Sequence, residues 1–282
     1  MNFDFNLVNI INNLSDDTPY RTEELLSISK QIYNLEKNNI QIYECNNFTI
    51  KKYYVTINNK QRSYLIKIPK KYDISTINNC IMFFHGSRDL HWHVALLSTN
   101  MMSDKFITIY LQGTNQGIFD LEEPHIHKHY KYITYGENFF EIRDFANNFN
   151  EDIEYVKSVK NDVIIKYNFT NFYAVGHSNG GVFICLFPIY LSNEFKALVS
   201  HQGGIGFDEW FYIPFEKTNL IIKKTPIYFY TGTNDIHKIP CIEAYNIFLN
   251  EGFDSQLYIE NGLNHNWNKN CEDNIFSYLL KY

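Results

Sequence analysis

Phe172-Tyr173-Ala174-Val175-Gly176-His177-Ser178-Asn179-Gly180-Gly181-Val182-Phe183-Ile184 is the stretch whose reading decides the fold. A run of apolar, β-branched and aromatic residues enters Gly176-His177-Ser178-Asn179-Gly180, and a second apolar run leaves it. That order predicts a strand, a sharp turn and a helix, with the Ser178 hydroxyl exposed at the turn for nucleophilic attack. Gly176 and Gly180 leave room for so tight a turn. A Gly-rich turn in which Ser178 and Asn179 merely cap a helix is the plainer reading, and the two flanking runs argue against it.

Working outward, short apolar strands alternate with helical patterns: Cys80 to Phe84, Phe106 to Leu111, Phe172 to Val175, Ala197 to His201, Pro226 to Tyr230 and Gln256 to Glu260. The alternation predicts an α/β fold, with a mainly parallel central sheet and helices on both faces. Before the nucleophile strand, Ile153, Val156, Val159, Val163 and Ile164 recur at steps of three and four, which predicts a helix over much of Glu151 to Tyr167. Near the N-terminus, Tyr53-Tyr54-Val55-Thr56-Ile57 and Tyr64-Leu65-Ile66-Lys67-Ile68 flank Asn58-Asn59 and predict an antiparallel hairpin at one sheet edge. Thr22 to Asn38 has near-helical spacing, so residues 1–45 read as an N-terminal helical extension and 46–282 as the catalytic domain. Residues 113–140, crowded with Glu, Pro, His and Tyr, read as a lid or substrate-wall insertion.

Composition bounds the function. The chain has 282 residues, of which 45% are hydrophobic and 20% charged, enough apolar surface for one sizeable core. A net charge of −6 offers no electrostatic footprint for nucleic acid, and no basic amphipathic stretch suits a membrane surface. Five cysteines without paired spacing fit a reducing compartment. Residues 1–20 lack the basic and apolar regions of an export signal, so a cytoplasmic location is expected. Oligomeric state is not legible.

A serine at its ordinary pKa is a poor nucleophile, so acyl transfer needs an imidazole to take its proton and a carboxylate to orient the ring. Asp235 follows the apolar run Ile227 to Tyr230 and Thr231-Gly232-Thr233-Asn234, which places it where loops leave strands toward a ligand crevice. Asp208 and Asp254 close no strand of this kind. His265 follows the last strand and the turn Asn261-Gly262-Leu263-Asn264, ahead of Trp267. His237, two residues beyond Asp235, reads as a rim residue. The oxyanion needs backbone donors; Asn179 supplies one, and the turn His85-Gly86-Ser87 after Ile81 to Phe84 supplies the other through Ser87. His85, Gly86, His177 and Trp267 are expected to line the substrate.

These segments resemble the α/β-hydrolase superfamily, and within it the esterase family of polyhydroxybutyrate depolymerases and feruloyl esterases. The likeness runs from about Tyr64 to the C-terminus. It rests on Ile68-Pro69-Lys70-Lys71-Tyr72 leading to His85-Gly86-Ser87, on the Ser178 pentapeptide with Gly181, on Gly232-Thr233-Asn234-Asp235 with Pro240, and on Asn264-His265-Asn266-Trp267. The resemblance implies Ser178, Asp235 and His265 as a triad. The chain departs from the family in having Asn264 where a Gly usually precedes the histidine, and Asn268 where a Pro commonly follows the Trp.

The expected activity is a metal- and cofactor-independent serine hydrolase acting on a small-molecule or acyl ester. A thioesterase or peptidase with the same triad and a noncatalytic binding module on the same scaffold are the alternatives. His125, His127 and His129 would share one face of an extended segment near Glu122 and Glu123, but they read more simply as polar loop residues than as metal ligands.

Overall fold

The structure is a computed structural model and describes residues 42–44, 47–86, 91, 94–95, 105–113, 151–204 and 223–282. The expected N-terminal helix, Ser87, Asp208, the histidines at 125, 127 and 129, and residues 114–140 lie outside the described residues.

Nine strands among the described residues make one sheet: β1 (Ile42–Glu44), β2 (Phe48–Ile57), β3 (Lys60–Pro69), β4 (Asn79–Phe84), β5 (Ile107–Leu111), β6 (Asn171–His177), β7 (Leu198–His201), β8 (Ile227–Gly232) and β9 (Ser255–Glu260). Their spatial order is β1-β2-β3-β5-β4-β6-β7-β8-β9. The first three strands pair antiparallel, β3 meets β5 antiparallel, and every pairing from β5 to β9 is parallel. The expected hairpin is therefore present, but β1 pairs outside it, so β1 and not the hairpin forms the border.

The hairpin turns in two residues, Asn58 and Asn59, with Ile57 opposite Lys60. Both asparagines have positive φ, 47° and 64°, the pair of left-handed conformations that matches the twist of a two-residue hairpin. In β2 buried positions alternate with more exposed ones over its first half, as suits a strand with one covered face. β4 through β8 are buried almost without break because helices cover both sides.

Alternation along the parallel strands sorts the core into two layers. Cys80, Met82 and Phe84 of β4, with Phe172 and Ala174 of β6, join one cluster. It is covered by α1 (Glu151–Tyr167), α2 (Asn179–Ile184), α3 (Phe187–Tyr190) and α4 (Lys238–Asn250). Ile81 and Phe83, with Tyr173 and Val175, point to the other cluster, covered by α5 (Lys269–Leu279). The helix expected before β6 spans Glu151–Tyr167, its Ile153, Val156, Val159 and Val163 buried; Ile164, counted in the same pattern, is exposed. The left-handed Asn168, φ 59°, ends it, donating its N–H to the Ile164 carbonyl.

The chain leaves β4 toward β5 on one side, crosses back to β6 on the other, and continues in that direction through β9. This reversal falls between β4 and β6, and the region beyond their C-terminal ends is where ligands bind in open α/β sheets. Phe84 and Gly176 are register partners there, so the turns after them start side by side.

Candidate active site

Ser178 sits directly after β6 at φ 53° and ψ −116°, a strained conformation for a residue with a side chain. Its N–H donates to the His201 carbonyl at 2.8 Å, and its own carbonyl accepts from Val182 N–H at 3.0 Å, which starts α2. The turn is possible only because backbones touch. A Cβ on Gly176 would lie 2.2 Å from the Gly180 oxygen, and one on Gly180 would lie 2.1 Å from the Phe84 oxygen. The two glycines thus pack the turn on itself and against the end of β4.

Three loops bring Ser178, His265 and Asp235 together. His265 Nε2 is 2.9 Å from Ser178 Oγ, and His265 Nδ1 is 2.8 Å from Asp235 Oδ1. A carboxylate only accepts, so Nδ1 carries the proton, which leaves Nε2 free to accept the Ser178 hydroxyl. The Asp235 side chain is fully buried, whereas the His265 side chain is 25% exposed, so solvent reaches the ring but not the acid.

The loops after β8 and β9 are pinned to each other. Asn234 N–H donates to the Leu263 carbonyl at 3.1 Å, and Gly262 N–H donates to Thr233 Oγ1 at 2.8 Å. Asp235 Oδ1 also accepts from His237 N–H at 2.9 Å, and Oδ2 accepts from the Thr231 hydroxyl at 2.7 Å. Burial pushes the Asp235 carboxyl up, but the bonds from His265, His237 N–H and Thr231 outweigh it and hold the group below its ordinary value. It is therefore an anion at neutral pH, set to keep one imidazole tautomer and to stabilise an imidazolium. His237 faces the same ring, with centroids 4.9 Å apart, and burial lowers its pKa.

The four residues expected to line the substrate are buried. His177 is the last residue of β6 and follows Tyr173 and Val175 onto the face covered by α5. There its ring stacks on His265, centroids 5.3 Å apart, and its Nδ1 lies 2.8 Å from that of His201. Trp267 donates its indole N–H to Glu272 at 2.6 Å and packs edge-on against Phe83, His177 and His201, beneath the site. His85 donates Nδ1–H to the Gly86 carbonyl at 2.7 Å and accepts at Nε2 from Gly113 N–H at 3.0 Å. Gly86 is buried with it. These side chains pack the turns that carry the site.

Asn179 opens α2, directly after Ser178, and is buried. Thr231, His201, Gln202 and Gln112 escaped the sequence reading although they hold the site: Gln112 donates to His85 Nε2 at 3.0 Å, and Gln202 donates to the Asn264 carbonyl at 2.5 Å. Their only signal in the sequence is position at or just past a strand end.

Among the described residues, no cluster of three His, Cys, Asp or Glu side chains is arranged to hold a metal ion, and no helix is long and apolar enough to cross a membrane. Cys80, Cys185, Cys241 and Cys271 are free and buried.

Residues 69–196 match the profile of a family described as an alpha/beta hydrolase of unknown function (DUF915). A comparison with curated proteins gave no match. Among solved structures, an S-formylglutathione hydrolase from Agrobacterium tumefaciens is 10% identical and aligns over 86% of this chain and 98% of its own, with a TM-score of 0.60. The CE1 ferulic acid esterase AmCE1/Fae1A from Anaeromyces mucronatus is 14% identical over 86% of this chain and 94% of its own, also at 0.60. The feruloyl esterase module from Clostridium thermocellum is 15% identical over 85% and 93%, at 0.53. At such identities the likeness is one of architecture. Strand order, the turn at Ser178 and these matches agree: the chain has the α/β-hydrolase fold.

Proposed function

We propose that this chain is a serine hydrolase that cleaves carboxylic esters through an acyl-enzyme. The observation that carries the reading is the unbroken series of hydrogen bonds from Ser178 Oγ through His265 to Asp235, set where the sheet reverses.

In the proposed cycle Ser178 Oγ attacks the ester carbonyl carbon while His265 Nε2 takes its proton. Asp235 holds the resulting imidazolium, and the N–H groups of Asn179 and Ser87 receive the oxyanion. His265 then gives the proton to the departing alkoxide as the carbon–oxygen bond breaks. A water that loses its proton to His265 attacks the acyl-enzyme, and the acid leaves as Ser178 regains its hydrogen. The cycle calls for no metal or cofactor.

A thioesterase is the second reading, favoured by one observation: the S-formylglutathione hydrolase and the ferulic acid esterase match with the same TM-score, 0.60. A panel of short acyl esters, thioesters and amides, turned over by the native chain and by Ser178→Ala, tests both. The ester reading expects aryl acetates or butyrates to be hydrolysed best, with a loss of about 10³-fold or more in the variant. It fails if thioesters are preferred by a wide margin, or if Ser178→Ala hydrolyses the esters as fast as the native protein. A chain inactive on the whole panel would instead be a binding module on this scaffold.

A further inference from the structure

Resting on the hydrolase reading, we propose that Gln202 is a positioning residue: its side-chain amide fixes the loop carrying His265 and so holds the imidazole against Ser178. Gln202 is the first residue past β7 and is fully buried. Its Nε2 donates to the carbonyl of Asn264, the residue immediately before His265, at 2.5 Å. A carbonyl only accepts, so the amide must present its nitrogen there, which fixes which way the group faces.

The anchor is itself tightly held. Gln202 N–H donates to the Tyr230 carbonyl at 2.6 Å, and its φ of 52° lies in the left-handed region that residues with a Cβ rarely occupy. The carbonyl of the preceding His201 accepts Ser178 N–H at 2.8 Å. Two consecutive residues at the end of β7 therefore grip both partners of the proton transfer, the nucleophile turn through the backbone of His201 and the base loop through the amide of Gln202. Asn264 is exposed, and among the described residues its carbonyl accepts otherwise only from Asn266 N–H, at 2.8 Å, within its own loop.

The other end of the amide shows what this grip costs. Gln202 Oε1 is buried with no hydrogen-bond partner among the described residues. A methionine or leucine would fill the same space without a stranded acceptor. Packing alone therefore gives no reason for an amide here, whereas donation to the Asn264 carbonyl does.

Two variants test the proposal. Gln202→Met keeps length and volume but cannot donate; Gln202→Leu is equally unable to donate, strands no polar atom, and serves if the first variant does not fold. Both are expected to lower kcat on a short aryl ester about 10- to 100-fold, with KM within about twofold of native, because the loss is of alignment and not of substrate contact. Both are also expected to shift or broaden the far-downfield proton resonance of His265 Nδ1–H, which reports its bond to Asp235 whether or not any ester is cleaved. Native kcat and a native resonance in folded variants would overturn the proposal, as would a raised KM with unchanged kcat. If the native chain cleaves no ester yet the resonance responds as expected, the hydrolase reading falls and the positioning role stands. If the native chain is active and the variants match it, only the positioning role falls.

Discussion

Nδ1 of His177 and Nδ1 of His201 lie 2.8 Å apart at the paired ends of β6 and β7. One of the two nitrogens must carry a proton and the other must not, so adding a second proton would set two N–H groups against each other. Burial acts the same way and pushes the His201 pKa down to about 3. The ring stacked on His265 is thus bonded to a His201 that burial keeps neutral, so His201 adds no cation behind the one that forms on His265 during the proposed reaction.

This pair makes stability depend on pH. An unfolded histidine titrates near its ordinary value of about 6.5, so below that pH the unfolded chain binds a proton that folded His201 refuses. The contribution is fully present above about pH 6.5 and is lost as pH falls toward the folded value of about 3. Thermal melting from pH 7 to pH 4 should show a drop in midpoint that is shallower in His201→Gln, which stays neutral and can still bond His177. The difference between the two curves should reach the order of a few kcal/mol. Parallel curves would count against a neutral buried His201.

Thr231 closes the environment of the acid, its hydroxyl 2.7 Å from Asp235 Oδ2. Thr231→Val removes that bond without changing shape, and the expected cost is about 1–2 kcal/mol of alignment, or roughly 5- to 30-fold in kcat. Asp235→Asn should cost about 10⁴-fold, because the amide can favour the wrong imidazole tautomer. Steady-state kinetics on one ester ranks the two; a Thr231 effect as large as that of Asp235 would contradict the division of roles.

Gly180 has no space for a methyl group, since a Cβ would meet the Phe84 oxygen at 2.1 Å. Gly180→Ala must push α2 away from β4 and is expected to destabilise the chain by about 3 kcal/mol or more, on the order of 5–10 °C in melting midpoint. A native melting curve for this variant would mean that the turn is more open than described.

The hairpin offers a change in the other direction. Asn58 and Asn59 both hold positive φ, and the second place of such a turn favours glycine. Asn59→Gly should add several tenths to about 1 kcal/mol, read by chemical denaturation. A loss of stability would show that the Asn59 side chain contributes more than its backbone strain costs.

The strands and the nucleophile turn were legible because their signals are local: buried parallel strands read as apolar runs, and a turn with touching backbones needs glycine at 176 and 180. Helix α1 was legible from the spacing of its valines and isoleucines, although Ile164 in that series faces outward. The border strand β1 was not, since three residues carry too little periodicity to read.

The packing around His177 and His85 follows from the fold and not from their neighbours in sequence. His177 neighbours Ser178 in sequence, which suggested a place in the substrate wall, but strand alternation carries its ring to the face shared with Val175 and Trp267. His85 looked like part of an open turn, yet its two ring nitrogens bind Gly86 and Gly113 from within. Thr231, His201 and Gln202 act through partners 4 to 62 residues away, and no spacing rule in one sequence joins them.

The central claim is that a hydroxyl and an imidazole 87 residues apart in the chain work as one nucleophile. Mass spectrometry of the chain after reaction with a fluorophosphonate tests it most directly. The account predicts a single adduct on Ser178 in the native protein and labelling slowed by orders of magnitude in folded His265→Ala. Labelling at another residue, or at Ser178 with equal speed in both proteins, would contradict it.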